Sequence, residues 1–341
     1  MKSINNKIVL VTGCAGFIGF HTSIKLLSEK YTVIGIDNLN NYYDKSLKKN
    51  RLREILRYSK KSKNKFIFFK YDINNKKNIT GLFKKYNFVK VFHLAAQAGV
   101  RNSIKNPYDY FSTNLIGFCN ILENCKTYKI NHFIFASSSS VYGGETKFPY
   151  KESYSSADRP IQLYAATKRS NEILAYSYSH LYKMKITGLR FFTVYGPWGR
   201  PDMAIFKFTK KILENKNIEI YNRGDHYRDF TYIDDIVDGI IKSSKRKNSV
   251  NKKLNTNLEI LNIGCGAPSK LMNCITLIEK HLGKVAKKKF LSMQKGDMHK
   301  TYASTKKIKK LLNYETTVDL NEGIKRFILW YKNYYYKKND K

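Results

Sequence analysis

The chain of 341 residues has few cysteines, few acidic residues and no long apolar stretch. No run of about 18 apolar residues occurs, which excludes a transmembrane helix of ordinary length. The five cysteines form no Cys-x-x-Cys pair and are odd in number, which argues against a disulfide framework and against a zinc site. Residues 1–7 lead into an apolar run too short for the core of a signal peptide. We therefore expect a cytoplasmic protein with free thiols and no metal.

Acidic residues number 26 against 63 lysines and arginines, so the net charge is +37. Such an excess is typical of nucleic-acid or membrane-surface binding when the charges gather on one face. Here the lysines are spread over the whole chain, and no nucleic-acid-binding motif is present. This favours lysines that simply solvate the surface, with a positive field that would attract an anionic substrate. We expect neither nucleic acid nor a membrane as a partner.

Short β-branched runs alternate with helical patterns through much of the chain, which is typical of a parallel sheet covered by helices on both faces. The strand-like runs are 7–11, 31–36, 66–71, 89–94, 132–136, 189–194 and 258–263. The helical patterns include 17–28, 114–125, 164–182, 271–282 and 320–331, and residues 45–65 are expected to form a charged helix and loop.

A glycine-rich turn, Gly13-x-x-Gly16-x-x-Gly19, joins the first strand run to the first helix. Glycines let the backbone approach a pyrophosphate resting on the helix N-terminus, so the turn predicts a dinucleotide site; a plain strand–helix turn is the alternative. Asp37 ends the second strand run, where a carboxylate accepts hydrogen bonds from the adenosine ribose and repels a 2′-phosphate. This favours NAD over NADP. Asp72, after the third run, is interpreted as reaching the adenine or capping a turn.

These features predict an α/β fold, a Rossmann-like doubly wound parallel sheet with a smaller C-terminal substrate-binding domain. The alternation ends near Gly196, where Pro197, Gly199 and Pro201 cluster, so the main domain change is expected there. Residues 1–195, to which 230–266 return, are expected to form the dinucleotide-binding domain. Residues 196–229 and 267–341 are expected to form the substrate domain.

Tyr164 and Lys168 stand four residues apart, on one face of a predicted helix. A nearby ammonium lowers the pKa of a phenol from about 10 toward neutrality, which would make Tyr164 a usable base. Ser138, Ser139 and Ser140 follow an apolar strand run, at the edge where such sheets bind ligands. Each feature alone is as readily structural, but together with the glycine turn they predict a catalytic site.

The glycine turn, the serine run and Tyr164-x-x-x-Lys168 resemble the extended short-chain dehydrogenases/reductases of the nucleotide-sugar epimerase and dehydratase group, over nearly the whole chain. Segments 36–44, 93–101 and 189–204 are similar to those of UDP-glucuronate 4-epimerases, which interconvert UDP-glucuronate and UDP-galacturonate. The resemblance implies NAD that stays bound while hydride leaves C4 of the sugar and returns to the other face of a 4-keto intermediate.

The resemblance also implies roles for single residues. Tyr164 would take the proton of the 4-hydroxyl, Lys168 would hold the nicotinamide ribose, and Ser138 would hydrogen-bond the 4-oxygen. The expected cofactor contacts are Gly13, Gly16, Phe17, Ile18, Gly19, Asp37, Asn38, Asp72, Ile73, Leu94, Ala95, Ala96, Asn114, Tyr164 and Lys168. The expected contacts to the UDP-sugar are Arg101, Ser138, Ser139, Ser140, Thr193, Arg200, Tyr221, Arg228 and Asp297.

A 4-keto hexuronate is a β-keto acid that readily loses CO₂, so an epimerase needs donors that hold its carboxylate. The resemblance implies Thr193 and Arg200 for this task, and a guanidinium suits a two-bond grip on a carboxylate. The alternative for Arg200 is a loop arginine paired with Asp202.

At the nucleotide end, the resemblance places Arg228 at the diphosphate and Asp297 at the uridine ribose, with Tyr221 against the uracil. For all three residues the alternative is an ordinary surface contact.

Related dehydratases and decarboxylases carry an acidic residue directly after the active-site Ser or Thr, where this chain has Ser139 and Ser140. Without that carboxyl group, acid–base chemistry at C5 or C6 lacks its agent, so epimerisation is favoured. Epimerases of UDP-glucose, UDP-N-acetylglucosamine or its uronate, a decarboxylase and a non-catalytic NAD-binding protein are the alternatives. A homodimer formed through 114–125 and 164–182, and a role in polysaccharide biosynthesis, are implied by the resemblance alone.

Overall fold

The structure, a computed structural model, describes residues 7–247, 250–251, 254–294 and 297–336. Its strands are β1 (Ile8–Thr12), β2 (Thr32–Ile36), β3 (Phe66–Phe69), β4 (Phe88–His93), β5 (His132–Ser138), β6 (Ile186–Phe191), β7 (Thr193–Tyr195), β8 (Ile218–Ile220), β9 (Tyr227–Arg228), β10 (Phe230–Tyr232), β11 (Leu258–Ile263), β12 (Ser269–Lys270) and β13 (Lys288–Phe290). Its helices are α1 (Phe17–Ser28), α2 (Lys45–Ser62), α3 (Lys76–Lys85), α4 (Val100–Lys105), α5 (Pro107–Tyr110), α6 (Phe118–Thr127), α7 (Leu163–Tyr182), α8 (Ala204–Leu213), α9 (Ile233–Ser244), α10 (Leu271–Leu282), α11 (Lys306–Leu312) and α12 (Leu320–Tyr335).

Seven strands form one parallel sheet in the order β11-β6-β5-β4-β1-β2-β3. The chain begins at the centre with β1, winds outward to β3, and then returns to place β4 on the other side of β1. The winding direction therefore reverses between β1 and β4, and their carboxyl ends border a crevice of the kind in which such sheets bind ligands. The prediction of a Rossmann-like, doubly wound α/β fold is confirmed.

Helices cover both faces of the sheet, and for this reason its central strands contain apolar residues at consecutive positions. Val9 and Val11 of β1 point into one buried cluster, while Leu10 points into the cluster on the opposite face. All three side chains are completely buried. Burial of each such side chain contributes about 1.5–3 kcal/mol to folding, so the apolar runs determine which segments become strands.

Helix boundaries follow local signals in the sequence. The predicted helices at 17–28 and 271–282 coincide with α1 and α10. The charged helix expected within 45–65 is α2, whose first turn is capped by Asp44: its carboxylate accepts from the Ser46 amide at 2.7 Å. The helix expected at 114–125 begins earlier, as a π-helical stretch Phe111–Gly117 that continues directly into α6.

The chain leaves the main sheet twice to build its C-terminal part, once after β7 and once after β11. After β7 it forms α8 and β8, and it then returns through β10, which pairs with β7, and through α9 to β11. Strand β11 pairs with β6 at the edge of the main sheet. Beyond it, β12 pairs with β9, β13 pairs with β8, and α10 packs against α8 and α12. Among the described residues, no helix combines the length and the apolar character needed to cross a bilayer.

A buried ionic network lies under the carboxyl ends of β5 and β6. Glu172 of α7 accepts two hydrogen bonds from Arg190, at 2.8 and 2.7 Å, and one from Ser137 at 2.6 Å. Arg169 adds a further bond at 2.8 Å. Burial alone would raise the pKa of Glu172, but these bonds hold it below its ordinary value. The network therefore keeps a negative charge in the interior, one helical turn from Lys168.

Candidate active site

A cavity of about 860 Å³ opens at the carboxyl edge of the parallel sheet. One wall consists of the segments that follow β1, β2, β4, β5 and β6. The opposite wall is formed by residues of α8, β8 and β9 together with Asp297. The volume is within the range of small-molecule and cofactor sites. The cavity is therefore shared between the sheet and the C-terminal part of the chain.

The glycine turn borders this cavity. Gly13 has a φ of +70°, and a Cβ built on it would stand 2.8 Å from the Cα of Ala95. A Cβ on Gly19 would fall well inside van der Waals contact with the carbonyl oxygen of Gly13. No side chain caps the start of α1, and Gly13, Gly16, Phe17, Ile18 and Gly19 all line the cavity. Free helix N–H groups beside an open backbone turn fit the pyrophosphate of a dinucleotide.

Asp37 stands at the end of β2 with its carboxylate fixed by the backbone. Its two oxygens accept from the amides of Leu39, at 2.8 Å, and Ala15, at 3.2 Å. Burial raises the pKa of Asp37, and the charge of Lys48 and these two amide bonds oppose that rise. Asp37 and Asn38 both line the cavity beside the glycine turn. This placement suits a carboxylate that meets the adenosine ribose.

Two of the expected cofactor residues lie outside the cavity lining. Asp72 accepts from the Asn74 amide and from the side chain of Asn38, both at 2.8 Å, so it caps a turn and holds Asn38 in place. Asn114 is buried behind the wall, where it exchanges hydrogen bonds with the backbone of Gln97 at 2.8 and 3.0 Å. Asn114 thereby fixes the segment after β4, in which Leu94, Ala95 and Ala96 do line the cavity. Ile73 lines it as well.

Tyr164, Lys168 and Ser138 all line the cavity. The ammonium of Lys168 donates to the carbonyl of Ala136 at 2.8 Å. Burial lowers the pKa of Lys168 to about 7, and the charge of Glu172 opposes this shift. The charge of Glu172, in the network beneath it, therefore helps the buried Lys168 ammonium to keep its proton.

The electrostatics of Tyr164 differ from the sequence expectation. Burial raises the pKa of its phenol, and the groups that oppose the rise are a hydrogen bond with Ser138 and the charge of Arg200. Lys168 is not among the groups that lower it. The physical reason is that the phenol itself is desolvated, while the Lys168 ammonium donates its hydrogen bond to a backbone carbonyl.

Arg200 combines the two alternatives considered for it, because it lines the cavity and is also paired with Asp202. Its Nε donates to one oxygen of Asp202 at 3.0 Å, and Nη2 donates to the other. The hydroxyl of Tyr42 donates to the same carboxylate at 3.3 Å. The pair leaves further guanidinium N–H groups available for a ligand in the cavity. Thr193, Ser139 and Ser140 also line the cavity.

Another part of the cavity lining carries two arginines around one carboxylate. Arg228 donates to Asp297 at 3.0 Å, and the guanidinium of Arg101 lies 3.7 Å from the same carboxylate. The guanidinium of Arg101 also stands over the ring of Tyr221, at 4.9 Å from its centre. All four residues line the cavity, so every expected substrate residue is brought to it. Two cations and an aromatic face suit an anionic ligand with a planar base.

Several lining residues were not predicted from the sequence. Tyr42, Gln97, Asp202 and His226 line the cavity as well. His226 packs beside Asp297, with its Nε2 3.7 Å from the carboxylate. A lone histidine in a loop carries no sequence signal, whereas Tyr42 lies within the segment 36–44, which already resembled the epimerases. Within the described ranges, no cluster of His, Cys, Asp or Glu is arranged to hold a metal ion.

Comparisons with known proteins agree with this geometry. The sequence model for GDP-mannose 4,6 dehydratase matches residues 10–327. The uncharacterized protein MJ1055 of Methanocaldococcus jannaschii is 50% identical over 95% of this chain and 96% of its own length. UDP-glucuronate 4-epimerase of Thermodesulfobacterium geofontis is 44% identical, with 95% of each chain covered.

Among solved structures, UDP-glucuronic acid 4-epimerase from Bacillus cereus, in complex with UDP-glucuronic acid and NAD, superposes with a TM-score of 0.86. It is 35% identical, and the match covers 96% of this chain and 100% of that one. The likeness therefore extends over the sheet and over the C-terminal part that closes the cavity.

Replacing Gly19 with alanine should lower the affinity for NAD by more than tenfold, because its Cβ would displace the Gly13 carbonyl and distort the turn. Equilibrium binding of NAD measures this. The matched control is Gly81→Ala in α3, where the added Cβ meets no heavy atom within 4 Å and binding should not change. Wild-type affinity in Gly19→Ala would contradict the assignment of the turn to the dinucleotide.

Proposed function

The chain belongs to the extended short-chain dehydrogenases/reductases, in the family described by GDP-mannose 4,6 dehydratase, and from this membership and its cavity we propose that it catalyses NAD-dependent epimerisation of UDP-glucuronate at C4, giving UDP-galacturonate. The observation that carries the proposal is the convergence of Tyr164, Lys168 and Ser138 with Arg200 and Thr193 in one cavity. The first three residues suit proton transfer at a hydroxyl, and the last two suit a carboxylate beside it.

The cofactor would be held by the glycine turn, Asp37, Asn38, the segment 94–96 and Lys168. When bound, NAD supplies the acceptor and the donor for the hydride of C4. The Asp37 carboxylate favours NAD because it would repel the 2′-phosphate of NADP. Asp72 and Asn114 would act indirectly, Asp72 by holding Asn38 and Asn114 by holding the segment after β4.

Tyr164 would accept the proton of the 4-hydroxyl in the first half of the reaction and return it in the second. Ser138, which hydrogen-bonds the phenol, would also bond the 4-oxygen and keep the two groups aligned. The Lys168 ammonium lies one helical turn away, and its proton is stabilised by Glu172. This ammonium would hold the nicotinamide ribose, whereas the groups that oppose the rise in the pKa of the phenol are Ser138 and Arg200.

The carboxylate of a 4-keto uronate must stay charged and fixed, because loss of CO₂ moves its electrons toward the 4-oxygen. A guanidinium bonded to the carboxylate stabilises that charge before the bond breaks and thus slows its loss. Arg200 lines the cavity with part of its N–H groups engaged by Asp202, which fixes its orientation. Thr193 supplies one hydroxyl donor to the cavity, and Ser139 and Ser140 supply two more at the position where related dehydratases and decarboxylases carry an acid.

The nucleotide would extend toward the other end of the cavity. Arg228 and Arg101 would bind the diphosphate, Asp297 would bind a ribose hydroxyl, and Tyr221 would stack on the uracil. The cation–π contact between Arg101 and Tyr221 supports a joint role, because Arg101 comes from the sheet side and Tyr221 from the C-terminal part. We accordingly assign dinucleotide binding to residues 1–195 with 230–266, and UDP-sugar binding to residues 196–229 with 267–341.

We also propose that the protein forms a homodimer through the segment 114–125 and α7, extended by the neighbouring helices at 100–113. Large apolar side chains on these elements are 54–81% exposed, and exposed apolar patches of this kind mark protein interfaces. They are Ile104, Tyr108, Ile116, Ile173 and Leu181.

All five cysteines are unpaired, which supports a reducing compartment, the cytoplasm. There the nucleotide-activated galacturonate would serve as a donor for polysaccharide biosynthesis.

Incubation with UDP-glucuronate, UDP-glucose and UDP-N-acetylglucosamine tests the substrate directly. NMR of the products should show UDP-glucuronate and UDP-galacturonate interconverting, with the other two sugars turned over at least tenfold more slowly. Preference for a sugar without the carboxylate would overturn the substrate assignment while leaving the epimerase chemistry in place.

Replacing Tyr164 with phenylalanine should abolish turnover, because the proton of the 4-hydroxyl then has no acceptor on α7. Phenylalanine keeps the aromatic ring, so bound NAD should be retained, as measured by denaturing the protein and quantifying the released nucleotide. The control is Tyr176→Phe, an exposed tyrosine of the same helix, which should leave turnover unchanged. Substantial activity in Tyr164→Phe would remove the phenol from its proposed role.

Replacing Arg200 with alanine should lower kcat/KM for UDP-glucuronate roughly 30- to 1000-fold, the effect of about 2–4 kcal/mol for a lost charged hydrogen-bonding partner. The affinity for UDP itself should change little, which provides the internal control. The variant should also release UDP-4-keto-pentose, detected by mass spectrometry.

In that side reaction the bond from C5 to the carboxylate breaks and CO₂ leaves. The electron pair passes to the enolate, C5 takes a proton from water, and the two electrons from C4 stay with the cofactor. Normal epimerisation without pentose in Arg200→Ala would show that the arginine is structural.

A further inference from the structure

Arg51 of α2 is completely buried, yet it pairs with no carboxylate among the residues that the structure describes. Its N–H groups donate instead to backbone carbonyls and one phenol. Nη1 bonds the Ala15 carbonyl at 2.9 Å and the Tyr43 hydroxyl at 2.6 Å. Nε bonds the Trp198 carbonyl at 3.1 Å, and Nη2 bonds the carbonyls of Trp198 and Gly199, the latter at 3.3 Å.

The acceptors of Arg51 belong to two separate parts of the cavity. Ala15 lies within the glycine turn, between Gly13 and Gly16. Trp198 and Gly199 directly precede Arg200 in the loop after β7. One guanidinium therefore spans the turn assigned to the dinucleotide and the loop that carries the arginine assigned to the substrate carboxylate.

A second residue anchors the same loop from α1. Nε2 of His21 donates to the carbonyl of Pro197 at 3.0 Å, and burial lowers the pKa of His21 to about 4, so the ring is a neutral donor near pH 7. Three successive carbonyls, those of Pro197, Trp198 and Gly199, are thus held by α1 and α2. The loop needs such support because Trp198 has a φ of +62°, in the left-handed region.

The geometry of arginine is essential to this bridge. Its planar fork presents five N–H groups, whereas a lysine in its place would present a single ammonium that cannot reach both loops. A buried guanidinium without a carboxylate partner is costly, and carbonyl dipoles offset that cost only if all of them stay in place. Burial raises the pKa of Asp37, and the positive charge of Arg51 is among the effects that oppose this rise.

We propose that Arg51 is a positioning residue that couples the dinucleotide site to the grip on the substrate carboxylate. Displacement of the glycine turn moves Arg51, and Arg51 moves the carbonyls that set the place of Arg200. By linkage, NAD then tightens binding of the uronate, and the uronate tightens binding of NAD by the same factor. The proposal rests on the proposed function, in that Arg200 is taken to hold the carboxylate.

The test compares the affinity for NAD under three conditions: with no uridine nucleotide, with UDP, and with UDP-glucuronate. Measurements use the Tyr164→Phe background, so that no turnover occurs during binding. With Arg51 present, UDP-glucuronate should increase the affinity for NAD at least fivefold more than UDP does. In Arg51→Lys this difference should fall below twofold, with the affinity for UDP alone within twofold of its starting value.

A second readout uses the variants that retain Tyr164. At saturating NAD, Arg51→Lys should raise the fraction of product released as UDP-4-keto-pentose at least tenfold, because Arg200 is no longer held in register. A purely structural role would lower the melting temperature without changing this ratio. If Arg51→Lys does not fold, His21→Leu replaces it, since it frees the Pro197 carbonyl and should raise the pentose fraction in the same direction.

The matched control is Arg246→Lys. Arg246 is also a buried arginine that donates to backbone carbonyls, those of Ile186 and Asn257 at the start of β6 and β11, away from the cavity. Arg246→Lys should change neither the coupling between NAD and UDP-glucuronate nor the pentose fraction. Failure of the wild type to epimerise UDP-glucuronate would reject the proposed function. A wild type that epimerises, together with Arg51 variants that keep both coupling and product ratio, would reject only the role of Arg51.

Discussion

The parallel direction of the seven sheet strands is the constraint from which the site follows. Since all strands run the same way, the segments after β1, β2, β4, β5 and β6 emerge at one edge. This arrangement brings together a glycine turn, the carboxylate of Asp37, a serine run and a threonine that lie far apart in the sequence. The reversal of winding between β1 and β4 separates the covering helices there and leaves room for a ligand. The C-terminal part then closes the crevice from the opposite side.

Charged side chains that line the cavity or lie beneath it are arranged in pairs of opposite sign. Lys168 is stabilised by Glu172, Glu172 by Arg190 and Arg169, and Arg200 by Asp202. Each partner removes part of the cost of placing its neighbour away from water. The phenol of Tyr164 is the reacting group in this set, and burial raises its pKa although Ser138 and Arg200 oppose the rise. Proton transfer at this phenol therefore relies on neighbours that only the folded chain assembles.

Features encoded by neighbouring residues could be read from the sequence. The glycine turn, Asp37 after β2, and the helical spacing of Tyr164 and Lys168 depend on contacts within a few residues of one another, and the structure places each at the cavity. The parallel sheet with helices on both faces also followed from the alternating strand and helix patterns, whereas its strand order came from the structure. The π-helical start of the segment before α6 could not be read, because the periodicity of three to four residues continues through it.

Features that depend on long-range contacts could not be predicted. Only the topology brings together the partners of three sets of bonds: the Asn38 amide donating to Asp72, the bonds between Asn114 and Gln97, and the bonds that Arg51 donates. The electrostatics of Tyr164 were mistaken for the same reason, since burial is a property of the assembled wall.

The late position of β11 in the chain also has a consequence for synthesis. Its partner β6 is buried at every position, and the two are separated by about 70 residues that build part of the opposite wall. A nascent chain that has emerged only as far as α9 holds β6 as an apolar edge with unpaired backbone groups, the kind of edge to which other chains add. The sheet becomes complete only after residue 263 has been synthesised, so β6 is open to misassembly for as long as the intervening segment takes to emerge.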